Sequence, residues 1–217
     1  MIVIKNKFDK KQIGNLPRAL FDGRIVTIVS EYEADRAVDF LLRQPILGFD
    51  TETRPSFRKG HYNHVALLQV ATHDICFLFR LNRIGITDSI VRLLEDCSIT
   101  KVGLSLQDDM RMLTHRREFT PGTFVELQNE VHDVGIEDMS LQKIFANVFG
   151  QKISKGQQLS NWEADNLSEA QMLYAATDAW ACVLIHEEIQ RLKNTGDYRL
   201  EMCEPKIVTP NVNFNEM

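Results

Sequence analysis

The chain has 217 residues, of which 44% are apolar and 25% charged, and its formal net charge is −5. That is the composition of a globular protein large enough for one α/β domain. No apolar run approaches the roughly 20 residues of a membrane-spanning helix. The negative balance argues against a broad duplex-coating surface, which is usually basic. It does not exclude a nucleic-acid enzyme, because bound metal ions can themselves attract phosphate. The opening MIVIKNKFDKK has charges where a signal peptide needs its apolar stretch, so a cytoplasmic protein is expected. Four scattered cysteines without a CxxC pair suggest neither a zinc site nor a disulfide framework, and buried reduced thiols are expected.

In chain order, residues 1–22 are mixed and interrupted by Pro17, and they are set apart as an N-terminal extension. GRIVTIVS predicts a first strand. Ser30 and Glu33 form a capping box that opens a helix through Ala34, Val38 and Leu41, which Pro45 ends. ILGFDTET predicts a second strand. HVALLQVAT and ICFLFRL predict two more, joined by a turn at His73-Asp74. A helix near 87–95, a short strand at ITKVGL and a helix carrying QDDMRML follow. FVELQ reads as another extended piece. SLQKIFANVFG has Leu141, Ile144, Phe145 and Val148 at helical spacing, with Gly150 as the C-cap. Residues 151–166 are polar and irregular. Ser168 and Gln171 form a second capping box at the start of a long helix that Gly196 closes. Residues 196–217 read as a tail, either poorly ordered or strapped to the surface. Strands followed by helices predict a mixed sheet covered by helices, as one domain over 23–195.

Acidic residues carry the chemistry. Asp50 and Glu52 are two apart on a predicted strand, so both point to one face. A solvated strand end would explain D-x-E alone. The apolar ILGF before it points inward instead, where charges need partners. On the next acidic helix, Leu106, Asp109, Met110 and Leu113 follow helical spacing, so Asp109 shares the inward stripe and Asp108 falls off it. A first-turn acid that favours the helix dipole is the competing reading for Asp109, and the expected role of Asp108. Tyr174 and Asp178 are one helical turn apart. Leu173, Thr177, Trp180 and Leu184 are expected to form the apolar stripe beside them. Ala175, Ala176, Ala179 and Ala181 would let another element approach closely.

Other motifs say less. Arg54, Arg58, Lys59 and His61 form either a phosphate-tracking patch or a charged loop, and Lys152 and Lys155 leave the same two readings open. His61 and His64 read as surface histidines. There is no Gly-rich phosphate loop and no serine nucleophile elbow, which disfavours P-loop and serine-hydrolase chemistry.

Taken in order, FDTE, KVGLSLQDD and YAATD resemble the three motifs of the 3′–5′ exonuclease domains of the DEDD superfamily. The similarity is to the tyrosine branch, which includes ribonuclease D and the exonuclease domain of the Werner syndrome helicase. HVALLQVAT and SNW at 160–162 also look like family sequence, and the resemblance covers roughly residues 23–192. Leu173 stands where the sister branch has a histidine. FVELQNEV departs from the family by lacking an acid at Gln128 or Asn129. The resemblance implies a ribonuclease H-like fold in which Asp50, Glu52, Asp109 and Asp178 hold two divalent cations, Mg²⁺ or Mn²⁺. It implies that Tyr174 orients the attacking water. The expected substrate is single-stranded or 3′-recessed DNA or RNA, with Thr51, Arg54, Arg58, Lys152 and Lys155 as candidate contacts. A non-catalytic nucleic-acid-binding module on the same fold is the alternative.

Overall fold

The structure, a computed structural model, describes residues 1–56, 60 and 62–203. It begins with a short strand, β1 (Ile2–Lys5), and one turn of helix, α1 (Lys10–Ile13). The main sheet is built from β2 (Arg24–Ile28), β3 (Ile46–Thr53), β4 (Val65–Ala71), β5 (Ile75–Phe79), β6 (Thr100–Gly103) and β7 (Phe124–Glu126). The strands lie in the order β2-β5-β4-β3-β6-β7. β4 runs antiparallel to both neighbours, and every other pairing is parallel. All seven residues of β4 are buried, which is why VALLQVA is nearly continuous in apolar residues rather than alternating. This is the ribonuclease H-like mixed sheet flanked by helices that the motifs imply.

On one face lie α2 (Glu31–Leu41), α4 (Asp88–Glu95) and α5 (Leu106–Arg116), with the single turn α3 (Leu81–Ile84) between the first two. Val38, Leu41, Leu93 and Leu113 pack there against Leu47, Phe49 and Phe79. The Ser30–Glu33 capping box forms as expected, and Thr87 caps α4. The other face carries α6 (Leu127–Asp133), α7 (Leu141–Phe149) and the long α8 (Glu169–Thr195). The Ser168–Gln171 box opens α8, and left-handed Gly150 and Gly196 close α7 and α8. The extended stretch expected at FVELQ ends sooner, at Glu126, because that carboxylate accepts from Gln128 N and starts α6.

The alanines of α8 let the sheet approach closely, as expected, and of the stripe beside them only Thr177 is buried. Leu173, Trp180 and Leu184 are half-buried, whereas Ala175, Ala176 and Ala179 are fully buried against Leu67, Ala71 and Leu78. The reason is the closeness of the helix to β3. A Cβ placed on Gly48 would lie 1.9 Å from the Ala179 carbonyl oxygen. Only alanines on one side and a glycine on the other allow that separation.

The first and last described strands pair with each other. β1 pairs in parallel with β8 (Tyr198–Glu201). Residues 14–21 form a strap: Lys152 N donates to the Pro17 carbonyl (2.9 Å), Ala19 N to the Lys152 carbonyl (2.9 Å), and Phe21 N to Thr177 Oγ1 on α8 (3.1 Å). Residues from 204 onward lie outside the described region. Of the four cysteines, Cys76 and Cys182 are buried as expected. Cys97 is instead exposed and Cys203 half-buried, because each follows the end of an element instead of facing the core.

Gly48→Ala is expected to destabilise the protein by about 2–3 kcal/mol in urea unfolding, since neither backbone can retreat from a well-packed core. A change below about 0.5 kcal/mol would contradict the close approach of α8 to β3.

Candidate active site

Strand alternation puts Asp50 and Glu52 on the α8 side of β3, near the end where a register shift after Glu52 disturbs pairing with β4. α8 presents Tyr174 and Asp178 one turn apart on the same face. Because α8 sits so close to β3, carboxylate oxygens of Asp50, Glu52 and Asp178 all lie within 4.8 Å of one another. Glu52 and Asp178 are only 8% and 9% exposed.

Asp109 reaches this end of β3 from the other face of the sheet. It accepts a hydrogen bond from the Thr51 hydroxyl (2.5 Å). It therefore stands outside the triangle of the other three and does not line the cleft beside them. Its charge still reaches them, raising the pKa values of both Asp50 and Glu52. Asp108 points outward and pairs with Arg111 (2.9 Å), as the helical spacing predicts. One carboxylate fixes the start of α5: Glu126 accepts from Ser105 N (3.0 Å), Leu106 N (2.8 Å) and Gln128 N (3.1 Å). Ser105 is left-handed (φ 63°), a conformation that costs a non-glycine residue energy and that these bonds hold in place. Glu126 is thus a positioning residue that the sequence did not reveal.

All four acids are shifted toward the protonated form, with burial as the largest cause for each. Asp50 is raised well above the carboxylate range, with repulsion from Glu52 and Asp178 added. Glu52 is pushed up to about 9, and Asp109 and Asp178 to about 7. The neighbouring Tyr174 hydroxyl and the charge of Lys155 partly offset the shift of Asp178. Tyr174 itself is driven above its ordinary range by burial and by the charges of Asp178 and Glu52, so it keeps its proton at any working pH. A crowded, all-oxygen donor set of this kind fits hard divalent cations.

The adjoining cleft has a volume of about 300 Å³. Thr51, Lys155, Tyr174 and Asp178 line it, facing Met139, Ser140 and Gln142. No local pattern marks the last three, which precede and begin α7. The Tyr174 ring packs on buried Trp162, with centroids 6.0 Å apart. Gln171 holds the SNW segment in place by donating to Ser160 Oγ and the Asn161 carbonyl.

Two of the candidate substrate contacts are engaged elsewhere. Lys152 Nζ donates to the Gly14 carbonyl, because its backbone is part of the strap pairing and carries the side chain away from the cleft. Arg54 pairs with Glu163 (3.2 Å) at the surface, beyond the end of β3. Arg58 lies outside the described residues.

A family model described as 3′–5′ exonuclease matches residues 11–193, and the chain belongs to that family. It is 32% identical over 196 residues to the bifunctional 3′–5′ exonuclease/ATP-dependent helicase WRN of Mus musculus. That match covers 84% of this chain and 14% of the longer mouse protein. Among solved structures, the Nibbler EXO domain of Aedes aegypti is similar with a TM-score of 0.71 at 21% identity, over 79% of this chain and 89% of that one. RNase D of Escherichia coli also has a TM-score of 0.71, at 20% identity, over 79% of this chain and 45% of that one. These two show the likeness of fold.

Carboxyls whose folded pKa values are raised favour the folded state fully only below the ordinary carboxylate range. Their contribution is lost as pH rises through the folded values, here up to about 9. Metal-stripped protein should therefore melt at a lower temperature at pH 8 than at pH 5. Added Mg²⁺ or Mn²⁺ should raise the melting temperature more at pH 8, where the ions do not compete with protons. Scanning calorimetry tests both; equal metal effects at the two pH values would contradict the electrostatic assignment.

Proposed function

We propose that this protein removes nucleotides one at a time from the 3′ end of single-stranded or 3′-recessed DNA or RNA by hydrolysing the terminal phosphodiester. The observation that carries this reading is the crowding of three carboxylates beside a tyrosine at the end of β3, in a chain of the exonuclease family. Asp50, Glu52, Asp109 and Asp178 would hold two Mg²⁺ or Mn²⁺ ions. Bound there, such ions supply charge neutralisation for the reacting phosphate and acidify a water molecule.

The chain's own residues do the remaining work. Tyr174 stays protonated, which favours orienting a water over removing its proton. It stands one turn before Asp178 on the same helix face and its ring rests on buried Trp162, so the hydroxyl is carried by a fixed side chain. Lys155 lines the cleft and offers a positive charge to the terminal phosphate. Thr51 anchors Asp109 across the strand end. The cleft takes an unpaired end more readily than a duplex, because a stacked nucleotide cannot enter it. Contacts to phosphate carry no base information, so sequence preference is low.

Asp178→Asn and Asp109→Asn should each lower turnover at least about 10³-fold on a 5′-labelled oligonucleotide while leaving the protein folded. Tyr174→Phe should lower it about 10²-fold. Product ladders on matched DNA and RNA strands, with Mg²⁺ or Mn²⁺ and after EDTA, provide the measurement. Ladders from Asp178→Asn at the wild-type rate would overturn the assignment, and a gel shift with intact wild-type product would favour a binding module. Cleavage of a circular single strand would indicate an endonuclease.

A further inference from the structure

A second cleft of about 300 Å³ adjoins the first. Tyr174 and Ser154 belong to the walls of both. Its far rim is Arg18, carried by the strap of residues 14–21, and its floor includes Leu20 and Leu173. Two backbone hydrogen bonds flank Arg18, through the Pro17 carbonyl and Ala19 N to Lys152, and Phe21 N is fixed to α8. The arginine thus stands on a pinned segment, yet its guanidinium makes no ion pair and no side-chain hydrogen bond among the described residues. Most other described arginines, by contrast, are paired with carboxylates or bonded to carbonyls. An exposed, unpartnered cation held beside an enclosed space in a chain of net charge −5 marks a place for an anion.

We infer that the cleft between Arg18 and Tyr174 is a subsite for the substrate strand on the 5′ side of the scissile bond, with the Arg18 guanidinium on a backbone phosphate. The inference rests on the exonuclease reading and extends it to a residue outside the acidic motifs. The geometry suits a strand that passes the Tyr174 ring: the terminal nucleotide occupies the acidic cleft beside Lys155, and the next one lies over Leu20 and Leu173 within reach of Arg18. Glu169, at the start of α8, lines the same cleft and opposes an anion there. The phosphate must therefore sit on the Arg18 side, and neutralising Glu169 should strengthen binding.

The test compares two substrates in Mn²⁺ at several salt concentrations. One is a 5′-labelled single-stranded oligonucleotide. The other is the p-nitrophenyl ester of thymidine 5′-monophosphate, which offers a terminal nucleotide and a leaving group but no upstream phosphate. Arg18→Gln should raise KM for the oligonucleotide about 10-fold at nearly unchanged kcat. It should also reduce the slope of log kcat/KM against log salt by about 0.7, one phosphate contact on a single strand. Hydrolysis of the ester should stay at the wild-type rate, which also shows that the strap remains in place. Arg18→Lys should restore most of the loss, and Glu169→Gln should lower KM for the oligonucleotide alone. Equal effects of Arg18→Gln on both substrates, or no effect on either, would overturn the subsite while leaving the exonuclease reading intact. Wild-type protein inert toward both substrates would instead remove that reading, and the subsite with it.

Discussion

Carboxylate oxygens of Asp50, Glu52 and Asp178 lie within 4.8 Å of one another where burial weakens solvent screening, and Asp109 adds a fourth charge from across the strand. Left to themselves, such groups keep protons well above the usual carboxylate range. Lys155 relieves Asp178 only in part. The arrangement is thus costly for an isolated protein at neutral pH and becomes favourable when cations of high charge enter it. Much of the surrounding fold serves to hold these charges together against their repulsion.

The supports can be traced to single residues. Gly48 and Ala179 let α8 approach β3 closely enough for Asp178 to meet Asp50 and Glu52. Glu126 holds the left-handed Ser105 and the first turns of α5 and α6, and so fixes the helix that delivers Asp109. Gln171 pins the segment that places Trp162 beneath Tyr174. The strap of residues 14–21 closes the far side of α8 and carries Arg18 to the cleft. Chemistry at one sheet end is therefore assembled from both faces of the sheet and from a segment near the N-terminus.

The main sheet and the acids were legible because they follow local rules. Alternation placed Asp50 and Glu52 together, helical spacing separated Asp109 from Asp108, and two capping boxes marked α2 and α8. What escaped depends on contacts distant in sequence. β1 is four residues whose partner, β8, is almost 200 positions away, and neither has a local pattern. The sequence leaves Lys152 open between a phosphate contact and a charged loop, because its strap partner, Gly14, lies far away in the chain. Asp109 was expected among the other three acids, but its bond to Thr51 holds it to the side, a difference that spacing alone cannot express. The alanines of α8, by contrast, marked the close approach in the sequence itself, because a tight helix–strand contact selects small side chains over large ones.

The central claim is that the acidic end of β3 exists to hold divalent cations. Titration of metal-stripped protein with Mn²⁺, followed by paramagnetic resonance of the free ion and by calorimetry in buffers of different ionisation enthalpy, tests it without reference to turnover. Saturation at about two ions per chain, with protons released on binding at pH 7, is the predicted result. Absence of saturable binding at millimolar Mn²⁺, or binding unchanged when Asp50 and Asp178 are both replaced by Asn, would contradict it.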